Sequence, residues 1–400
     1  MTPRSATQKI EPASGTDYVA RVHELGPVIL EAADQIEAEQ ALPPALLSQL
    51  HEAGLFKTLL PKAYGGAELT PMEQHDIMIA VAQYDGSLAW CLGQLNGCSL
   101  ASALLEPSAV EEIWGQPEGC LGWGVGRGQA KRVDGGYSVS GKWLFSSGGR
   151  HSTWLGAQYV TVVDDDGNPV TEAENETRMM TMLFPTEKGN FQGYWDVIGL
   201  RGTNSDGYEV KDLFIPEKYA FYRDDHQNNY VDGTLYKFFS NTTYAIMFAG
   251  VAIGLARGIL EAFKDLAMEK SGRFGKTLLK DNAFSQSEVA LAEARIRSAR
   301  SYVLHEVNEI WEEMTESGTV STPEHRMRLR LATTFAIQEA KTAGDIAYHA
   351  AGATAVFANN PFERRYRDLL TVTQQVQGHK VHYQTVGAYL MGHDPEYMAI

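Results

Sequence analysis

The sequence predicts an α+β protein with an N-terminal helical domain, a central antiparallel β domain and a C-terminal four-helix bundle. Three stretches of different hydrophobic periodicity predict this architecture. Apolar residues recur at three- and four-residue steps over the first third, alternate with polar residues between about 120 and 216, and return to the helical period after about 240. We expect a flexible leader at 1–16 and domains at 17–118, 119–235 and 236–400.

The N-terminal region is expected to be helical apart from its Gly-rich links. In "LPPALLSQLHEAGLF", Pro43 and Pro44 suit a helix start, and Gly54 suits its end. From Thr70 to about Trp114 the pattern is again helical, interrupted at "YDGS". Before these segments, a single apolar stripe consists of Tyr18, Val22, Leu25, Ile29, Ala32 and Ile36.

The central region alternates apolar and polar residues and favours aromatic and β-branched types, as in "GGYSVSGKWLFSS", "QYVTVVD", "RMMTMLF" and "YEVKDLFIP". Clusters of Gly, Asn and Asp, such as "DDDGNP", separate these strands as turns. We expect a compact antiparallel sheet. The C-terminal region then predicts four long amphipathic helices at 242–271, 284–316, 324–352 and 362–390.

The composition excludes some classes of function. With 34 Lys and Arg against 50 Asp and Glu, the formal net charge is −16, which disfavours nucleic acids as partners. No apolar run approaches the ~18 residues of a transmembrane helix, and the N-terminus lacks the apolar stretch of a signal peptide. We therefore expect a cytoplasmic protein with no membrane partner.

Neither the cysteines nor the histidines predict a metal site. Cys91, Cys98 and Cys120 match no zinc spacing and are too few for a disulfide framework. His379 and His382 lack cysteine or carboxylate companions at ligand spacing. We expect reduced cysteines and no bound metal.

Four motifs in order carry a family resemblance from about residue 20 to 392. They are "LPPALLSQLHEAGLFKTLLPKAYGG", "WDVIGLRGTNSDGYEVKDLFIPE", "SGRFGKTLLKDNAFSQ" and "NPFERRYRD". Together they resemble the acyl-CoA dehydrogenase superfamily. Within it, "GGYSVSGKWLFSSG" and "HAAGATAVFANNPFERRYRD" are more similar to the flavin-dependent monooxygenase branch.

That resemblance implies the oxygenase component of a two-component flavin monooxygenase. Such an enzyme takes reduced flavin from a separate NAD(P)H:flavin reductase and reacts it with O2 through a C4a-(hydro)peroxyflavin. It then hydroxylates or epoxidises an aromatic or heteroaromatic substrate. The resemblance also implies a homotetramer.

The residues themselves argue against the dehydrogenase reaction, which needs a carboxylate base beside the thioester. The family places this base after an Arg-Asp dipeptide or early in the first bundle helix. Here Arg367-Asp368 is followed by 369–383 without Asp or Glu, and 239–250 has none either. A dehydrogenase or oxidase using another base stays an alternative, as does a non-catalytic flavin-binding homologue.

The flavin-binding residues follow from the resemblance. In "SGKWLFSSGG" (140–149), Ser147 matches the family serine near flavin N5, where small hydroxyls and main-chain N–H groups suit oxygen chemistry. Arg273, Phe274 and Gln286 match the motif that reaches the phosphate and adenosine end, which favours FAD although FMN is possible. The expected flavin contacts are Trp123, Phe145, Ser146, Ser147, Arg273, Phe274, Gln286, His349 and Gly352.

Two departures from the family bear on the substrate. Cys98 and Gln375 stand where several relatives have histidines, and His379 is a possible substitute in catalysis beside Ser147 and Gln375. Since only a phenolic substrate needs a histidine base, an indole-like, neutral ring is favoured. His151, just after the serines, is expected at a surface turn. The expected substrate-wall residues are Trp90, Asn96, Cys98, Trp123 and Gln375.

Overall fold

The computed structural model of the chain describes residues 15–170, 179–272 and 277–394. The leader expected at 1–16 lies almost wholly outside these ranges. The N-terminal part of the described chain is helical, as predicted. Its helices are α1 (Gly15–Glu39), α2 (Pro44–Glu52), α3 (Pro71–Ala82), α4 (Gly86–Ser99) and α5 (Pro107–Trp114).

Local sequence signals explain where these helices begin. Pro44 opens α2 after Pro43. Thr70 and Glu73 form a capping box at the start of α3. The break at "YDGS" is the cap of α4, because Asp85 Oδ1 accepts a hydrogen bond from Leu88 N–H at 2.7 Å.

A single sheet follows, with the strand order β6-β7-β3-β2-β4-β5-β8 and β1 paired to β4. Its strands are β1 (Leu121–Trp123), β2 (Val125–Val133), β3 (Gly136–Leu144), β4 (Trp154–Val163), β5 (Met180–Pro185), β6 (Asn190–Phe191), β7 (Tyr208–Pro216) and β8 (Ala220–Phe221).

The sheet is mixed, which corrects the expectation of a purely antiparallel one. Five strand pairs are antiparallel, but β4 runs parallel to both β2 and β1. The cause is the path of 145–153, which carries the chain from the end of β3 past β2 instead of folding back beside β3. Alternation of apolar residues predicts strand faces, but it does not predict strand direction.

Four long helices were predicted for the C-terminal region, and the first three occur within two residues of their expected ends. The fourth, expected at 362–390, is instead two helices separated at 373–380. The observed helices are α6 (Ser240–Glu269), α7 (Ala283–Ser317), α8 (Pro323–Ala351), α9 (Pro361–Val372) and α10 (Val381–Leu390).

Packing at Gly378 shows why the fourth helix breaks. A Cβ at Gly378 would lie 2.8 Å from the Ile337 side chain on α8, so the chain approaches α8 closely there. Gln338 Nε2 donates to Gly378 C=O at 2.8 Å, and Gln375 Oε1 accepts from Gln377 N–H at 2.7 Å. The fourth position of the bundle is therefore shared by α9, on α6 and α8, and α10, on α8.

Helix α6 lies at the centre of the molecule, against α3, α4, α7, α8 and α9. It is long and apolar enough to cross a membrane by length and composition, with a mean hydropathy of 1.7 over its most apolar window. Yet 83 % of that window is buried inside the protein. The apolar character of α6 is accounted for by the core.

Candidate active site

The turn after β3 consists of Phe145, Ser146, Ser147 and Gly148 and is called the serine turn here. Phe145 has φ +59° and Gly148 has φ +70°, so two left-handed residues reverse the chain within four positions. The Phe145 ring is 63 % exposed, whereas both serines are buried. The turn therefore presents one aromatic ring outward and holds two hydroxyls inside.

The two hydroxyls have different surroundings. Ser147 Oγ accepts a hydrogen bond from Trp90 Nε1–H at 3.0 Å and is 2.6 Å from Ser205 Oγ. Ser146 Oγ is fully buried and has no hydrogen-bond partner in the described part of the chain. It lies against Gly149, where a Cβ would be 2.2 Å away. Only Ser147 is built into a polar network.

That network is a chain of three hydroxyls, Ser147, Ser205 and Thr203, called the hydroxyl chain here. Thr203 Oγ1 donates to Leu200 C=O at 2.8 Å, which uses its single hydrogen. Ser205, 2.7 Å from Thr203, must then donate to Thr203, and Ser147 must donate to Ser205. With Trp90 as donor at the other end, one lone pair of Ser147 Oγ has no donor among the residues that the structure describes.

The hydroxyl chain ends on the peptide groups of Leu200, which has φ +53°. Leu200 C=O also accepts from Trp195 Nε1–H at 3.1 Å, and Leu200 N–H donates to Asp368 Oδ1 at 2.5 Å. Burial raises the pKa of Asp368 to about 7, with a further rise from the negative charge of Asp85. Asp368 therefore supports the loop that carries the hydroxyl chain.

An aromatic wall formed by Trp90, Phe248 and Tyr244 backs the serine turn. The Trp90 and Phe248 rings stack at 3.8 Å with an interplanar angle of 6°, and Tyr244 stacks on Phe248 at 5.9 Å. Tyr244 O–H donates to Cys98 Sγ at 3.4 Å. Burial raises the pKa of Cys98 to about 12, so this thiol stays protonated.

Asn96 has a structural role that the substrate-wall prediction did not include. Its Oδ1 accepts from Thr58 N–H at 2.9 Å, and its Nδ2 donates to Leu55 C=O and Leu92 C=O at 2.8 and 2.9 Å. Both ends of the fully buried amide are thus occupied by main chain. Asn96 anchors α4 to the loop between α2 and α3 and has little capacity left for a ligand.

A small cavity of about 30 Å³ lies beside the aromatic wall, between α4, β8 and the start of α6. Trp123 and Arg223 line it together with Gly97 and Phe221. The Arg223 guanidinium lies 5.5 Å from the Trp123 ring centroid and 5.9 Å from that of Tyr244. Trp123 thus lines a cavity, and its role at the substrate stays a prediction.

The other described residues of the prediction form no hydrogen bond with the hydroxyl chain; they are Gln375, His379, Gln286, His349 and Gly352. Gln375 and His379 form hydrogen bonds within the loop 373–380, where His379 Nδ1 accepts from Val381 N–H at 3.1 Å. Gln286 is exposed near the start of α7, and its Nε2 donates to Lys280 C=O at 2.9 Å. His349 and Gly352 are exposed at the end of α8. Arg273 and Phe274 lie outside the described residues.

His151 lies in the expected turn after the serines, but it is partly buried and its ring is bonded to another segment. His151 Nε2 accepts a hydrogen bond from Leu42 N–H at 3.1 Å, and burial lowers its pKa to about 4. The neutral ring joins the serine turn to the segment before α2. Its place after Gly148-Gly149 suggested a surface turn, because glycines usually mark loops.

Sequence reasoning missed five residues around the site. In "GLRGTNSDG", the small hydroxyl residues could have been noticed, but their pairing with Ser147 is set by tertiary structure. Arg223 gave no local signal at all. The missed residues are Thr203, Ser205, Arg223, Tyr244 and Phe248.

Two family profiles match the chain. "Acyl-CoA dehydrogenase, N-terminal domain" matches 24–106, and "Acyl-CoA dehydrogenase, C-terminal domain" matches 246–380. Together these matches span more than half of the sequence, on both sides of the sheet.

Similar curated proteins are monooxygenases. The chain is 27 % identical to an indole-3-acetate monooxygenase of Pseudomonas putida, over 86 % of this chain and 85 % of that protein. It is also 27 % identical to the flavin-dependent monooxygenase oxygenase subunit HsaA of Rhodococcus jostii, over 87 % and 91 % of the two chains.

Similar solved structures have the same fold. XiaF from Streptomyces sp., in complex with FADH2 and glycerol, has a TM-score of 0.88 at 24 % identity, covering 95 % of this chain and 96 % of that one. The dibenzothiophene monooxygenase TdsC from Paenibacillus sp., with FMN and indole, has a TM-score of 0.77 at 19 % identity, covering 95 % and 98 %. The chain belongs to the acyl-CoA dehydrogenase superfamily, within which it is similar to the flavin-dependent monooxygenases.

Proposed function

We propose that this protein is the oxygenase component of a two-component flavin monooxygenase acting on an aromatic or heteroaromatic substrate. The observation that carries the proposal is the direction of the hydroxyl chain, which leaves Ser147 Oγ as a hydrogen-bond acceptor. The monooxygenase names of several full-length relatives support the same reaction class.

The residues present fit a reduced flavin. Reduced flavin carries a hydrogen on N5 and can donate there, whereas oxidised flavin offers only a lone pair at N5. Ser147 Oγ, whose own hydrogen is committed to Ser205, is matched to the donor form. The exposed Phe145 ring next to it offers an apolar surface. When bound, reduced flavin supplies the electrons for the reaction with O2.

The protein's own residues would hold the flavin at N5–H, enclose the reaction site and exclude water from it. Ser147 would hold N5–H, while Trp90 fixes the Ser147 side chain from the opposite side. The stacked Trp90 and Phe248 rings exclude water from the region behind the serine turn, and water exclusion suppresses unproductive loss of oxygen. Trp123 and Gln375 are proposed at the substrate, with His379 as a further candidate in catalysis.

The dehydrogenase alternative has no base in the expected positions. Neither 369–383 nor 239–250 contains Asp or Glu, and the Asp368 carboxyl accepts from Leu200 N–H instead. The non-catalytic alternative predicts that reduced flavin binds without transfer of oxygen to any substrate, and the experiment below tests this.

The cofactor tail, the assembly and the location belong to the same proposal. We favour FAD, held at its adenosine end by Arg273, Phe274 and Gln286, with His349 and Gly352 contacting the flavin of another subunit; FMN is the alternative. A homotetramer would also cover the exposed apolar side chains near these positions, namely Phe284, Val356 and Phe357. We propose a cytoplasmic protein served by a separate NAD(P)H:flavin reductase.

The test is to titrate the purified protein with reduced FAD and reduced FMN without oxygen, and then to add O2 and a panel of indoles, phenols and thiophenes. We expect reduced flavin to bind more tightly than oxidised flavin, and one product to contain an oxygen atom from isotopically labelled O2. Tightly bound oxidised FAD that is reduced by an acyl-CoA would contradict the proposal.

A further inference from the structure

The guanidinium of Arg223 is partly buried and has no carboxylate partner among the described residues. Its hydrogen bonds go to three neutral oxygens: from Nε to Ser240 Oγ at 2.8 Å, from Nη1 to Gln158 Oε1 at 2.9 Å, and from Nη2 to Asn241 Oδ1 at 3.1 Å. Within the described ranges, no Asp or Glu oxygen lies within salt-bridge distance of it. We propose that Arg223 binds a carboxylate group of the substrate.

The count of donors supports an anionic partner. A guanidinium has five N–H groups. Three of them are used by the neutral oxygens, so one N–H on Nη1 and one on Nη2 have no protein partner in the described part of the chain. Two N–H groups on the two terminal nitrogens are what a carboxylate takes in a bidentate pair.

The charge balance points the same way. Burial is the largest influence on the pKa of Arg223 and lowers it, but Asp224 and smaller contributions from neighbouring groups together raise it, so the group stays charged. The Asp224 carboxylate, which also lines the cavity, accepts from Ser240 N–H and Ser240 O–H, both at 2.9 Å. Asp224 thus contributes to the charge of Arg223 without occupying its free N–H groups.

The position of Arg223 shows how a ligand would reach it. Arg223 lines the cavity of about 30 Å³, which is room for a small polar group and not for an aromatic ring. Its neighbours Trp123 and Tyr244 are aromatic. Tyr244 stacks on Phe248, and Phe248 stacks on Trp90 beside the serine turn. A carboxylate in the cavity would leave an attached ring near the aromatic wall.

The inference rests on the proposed function and narrows its substrate class to aromatic acids. A neutral, indole-like ring is compatible with it, provided that the ring carries an acidic side chain. The two relatives named indole-3-acetate monooxygenase have such a substrate by name.

The alternative is that Arg223 only ties the loop after β8 to β4 and α6. Its three neutral contacts would serve that purpose without a ligand. This alternative predicts no dependence of ligand binding on ligand charge, so the two interpretations can be separated by comparing an acid with its amide.

The experiment measures the affinity of indole-3-acetate and indole-3-acetamide by titration calorimetry, with reduced FAD under anaerobic conditions and without flavin. We expect the wild type to bind the acid about tenfold or more tightly than the amide, since a charged hydrogen-bonded pair is lost in the amide. Arg223→Gln should remove this preference, and Arg223→Lys should keep part of it.

Arg132→Gln is the matched control, because it removes the same charge from the surface, where Arg132 pairs with Glu217. It should keep the wild-type preference. Equal affinity of acid and amide in the wild type would overturn the inference, even if both Arg223 variants failed to fold. An unchanged preference in folded Arg223→Gln would do the same. Failure of reduced flavin to bind would count against the proposed function instead, since the acid and amide are also compared without flavin.

Discussion

The two ends of the proposed flavin site differ in how much of them one chain supplies. The end that would hold the flavin ring is called the ring end here. Its Ser147 and Ser205 are about 5 % exposed, and the hydroxyls form hydrogen bonds with groups of the same chain. At the tail end, Gln286, His349 and Gly352 are exposed. A single chain therefore preorganises the ring end, whereas the tail end lacks a cover. The difference suggests that specificity for the flavin ring is intrinsic and that retention of the tail depends on assembly.

The largest effect at the ring end is expected from Asp368, the buried acid that supports the loop carrying the hydroxyl chain. Asp368 has a pKa of about 7 in the folded protein, well above the value of about 3.9 expected on unfolding. The folded state therefore binds an extra proton between about pH 4 and 7, and this contribution to stability is lost as the pH rises through 7. Relative to Asp368→Asn, the wild type should lose about 4 kcal/mol of unfolding free energy over that window. Urea unfolding at several pH values measures it; parallel curves for the two proteins would contradict it.

The second-largest effect is expected from removing the Ser147 hydroxyl, which is the acceptor proposed for flavin N5–H. We expect Ser147→Ala to weaken binding of reduced flavin about tenfold, because the hydrogen bond offered to N5–H is lost. Anaerobic fluorescence titration provides the measurement. Ser146→Ala is the control for folding: its hydroxyl is buried without a described partner, so unfolding free energy should fall by less than about 0.5 kcal/mol or rise. Equal flavin affinity in wild type and Ser147→Ala would remove Ser147 from the site.

Reversing the hydroxyl chain is a subtler change at the ring end. In Ser205→Ala, Ser147 no longer has an acceptor for its hydrogen and can turn to donate to the N5 lone pair of oxidised flavin. The preference for reduced over oxidised flavin should fall by about fivefold. Ser152→Ala is a suitable comparison, because Ser152 Oγ donates to Gly149 C=O outside the hydroxyl chain. An unchanged preference would show that the chain's direction has no role in flavin binding.

The smallest expected effect is at the tail end. Gln286→Ala should weaken FAD binding about threefold and leave FMN binding unchanged, because only FAD extends to that position. The loss should coincide with the oligomer and disappear at dilutions where light scattering shows single chains. Equal losses for FAD and FMN would mean that Gln286 acts on the fold and not on the tail.

The fold could be predicted because periodicity depends on local sequence, and the helices and strands follow it closely. The direction of the strands could not be predicted, because the path of 145–153 places β4 beside β2 and parallel to it. The break at 373–380 was also missed, because it depends on contact between Gly378 and Ile337. At the site, the resemblance identified Ser147, but Ser205 and Arg223 lie 58 and 76 positions away in sequence and meet the site only through tertiary packing. The domain limits stay predictions.

The hydroxyl chain ends on main-chain groups of Leu200 and not on a side chain that lines the cavity beside Arg223. The direction of the Ser147 hydroxyl is thus set by the main chain at Leu200, whereas Tyr244 reaches Ser147 through the stacked rings of Phe248 and Trp90. Arg223 and Trp123 could be exchanged without a change in the direction of the Ser147 hydroxyl. Such separation would let one scaffold acquire new substrates by replacing a few wall residues, and it marks those positions as the first targets for engineering.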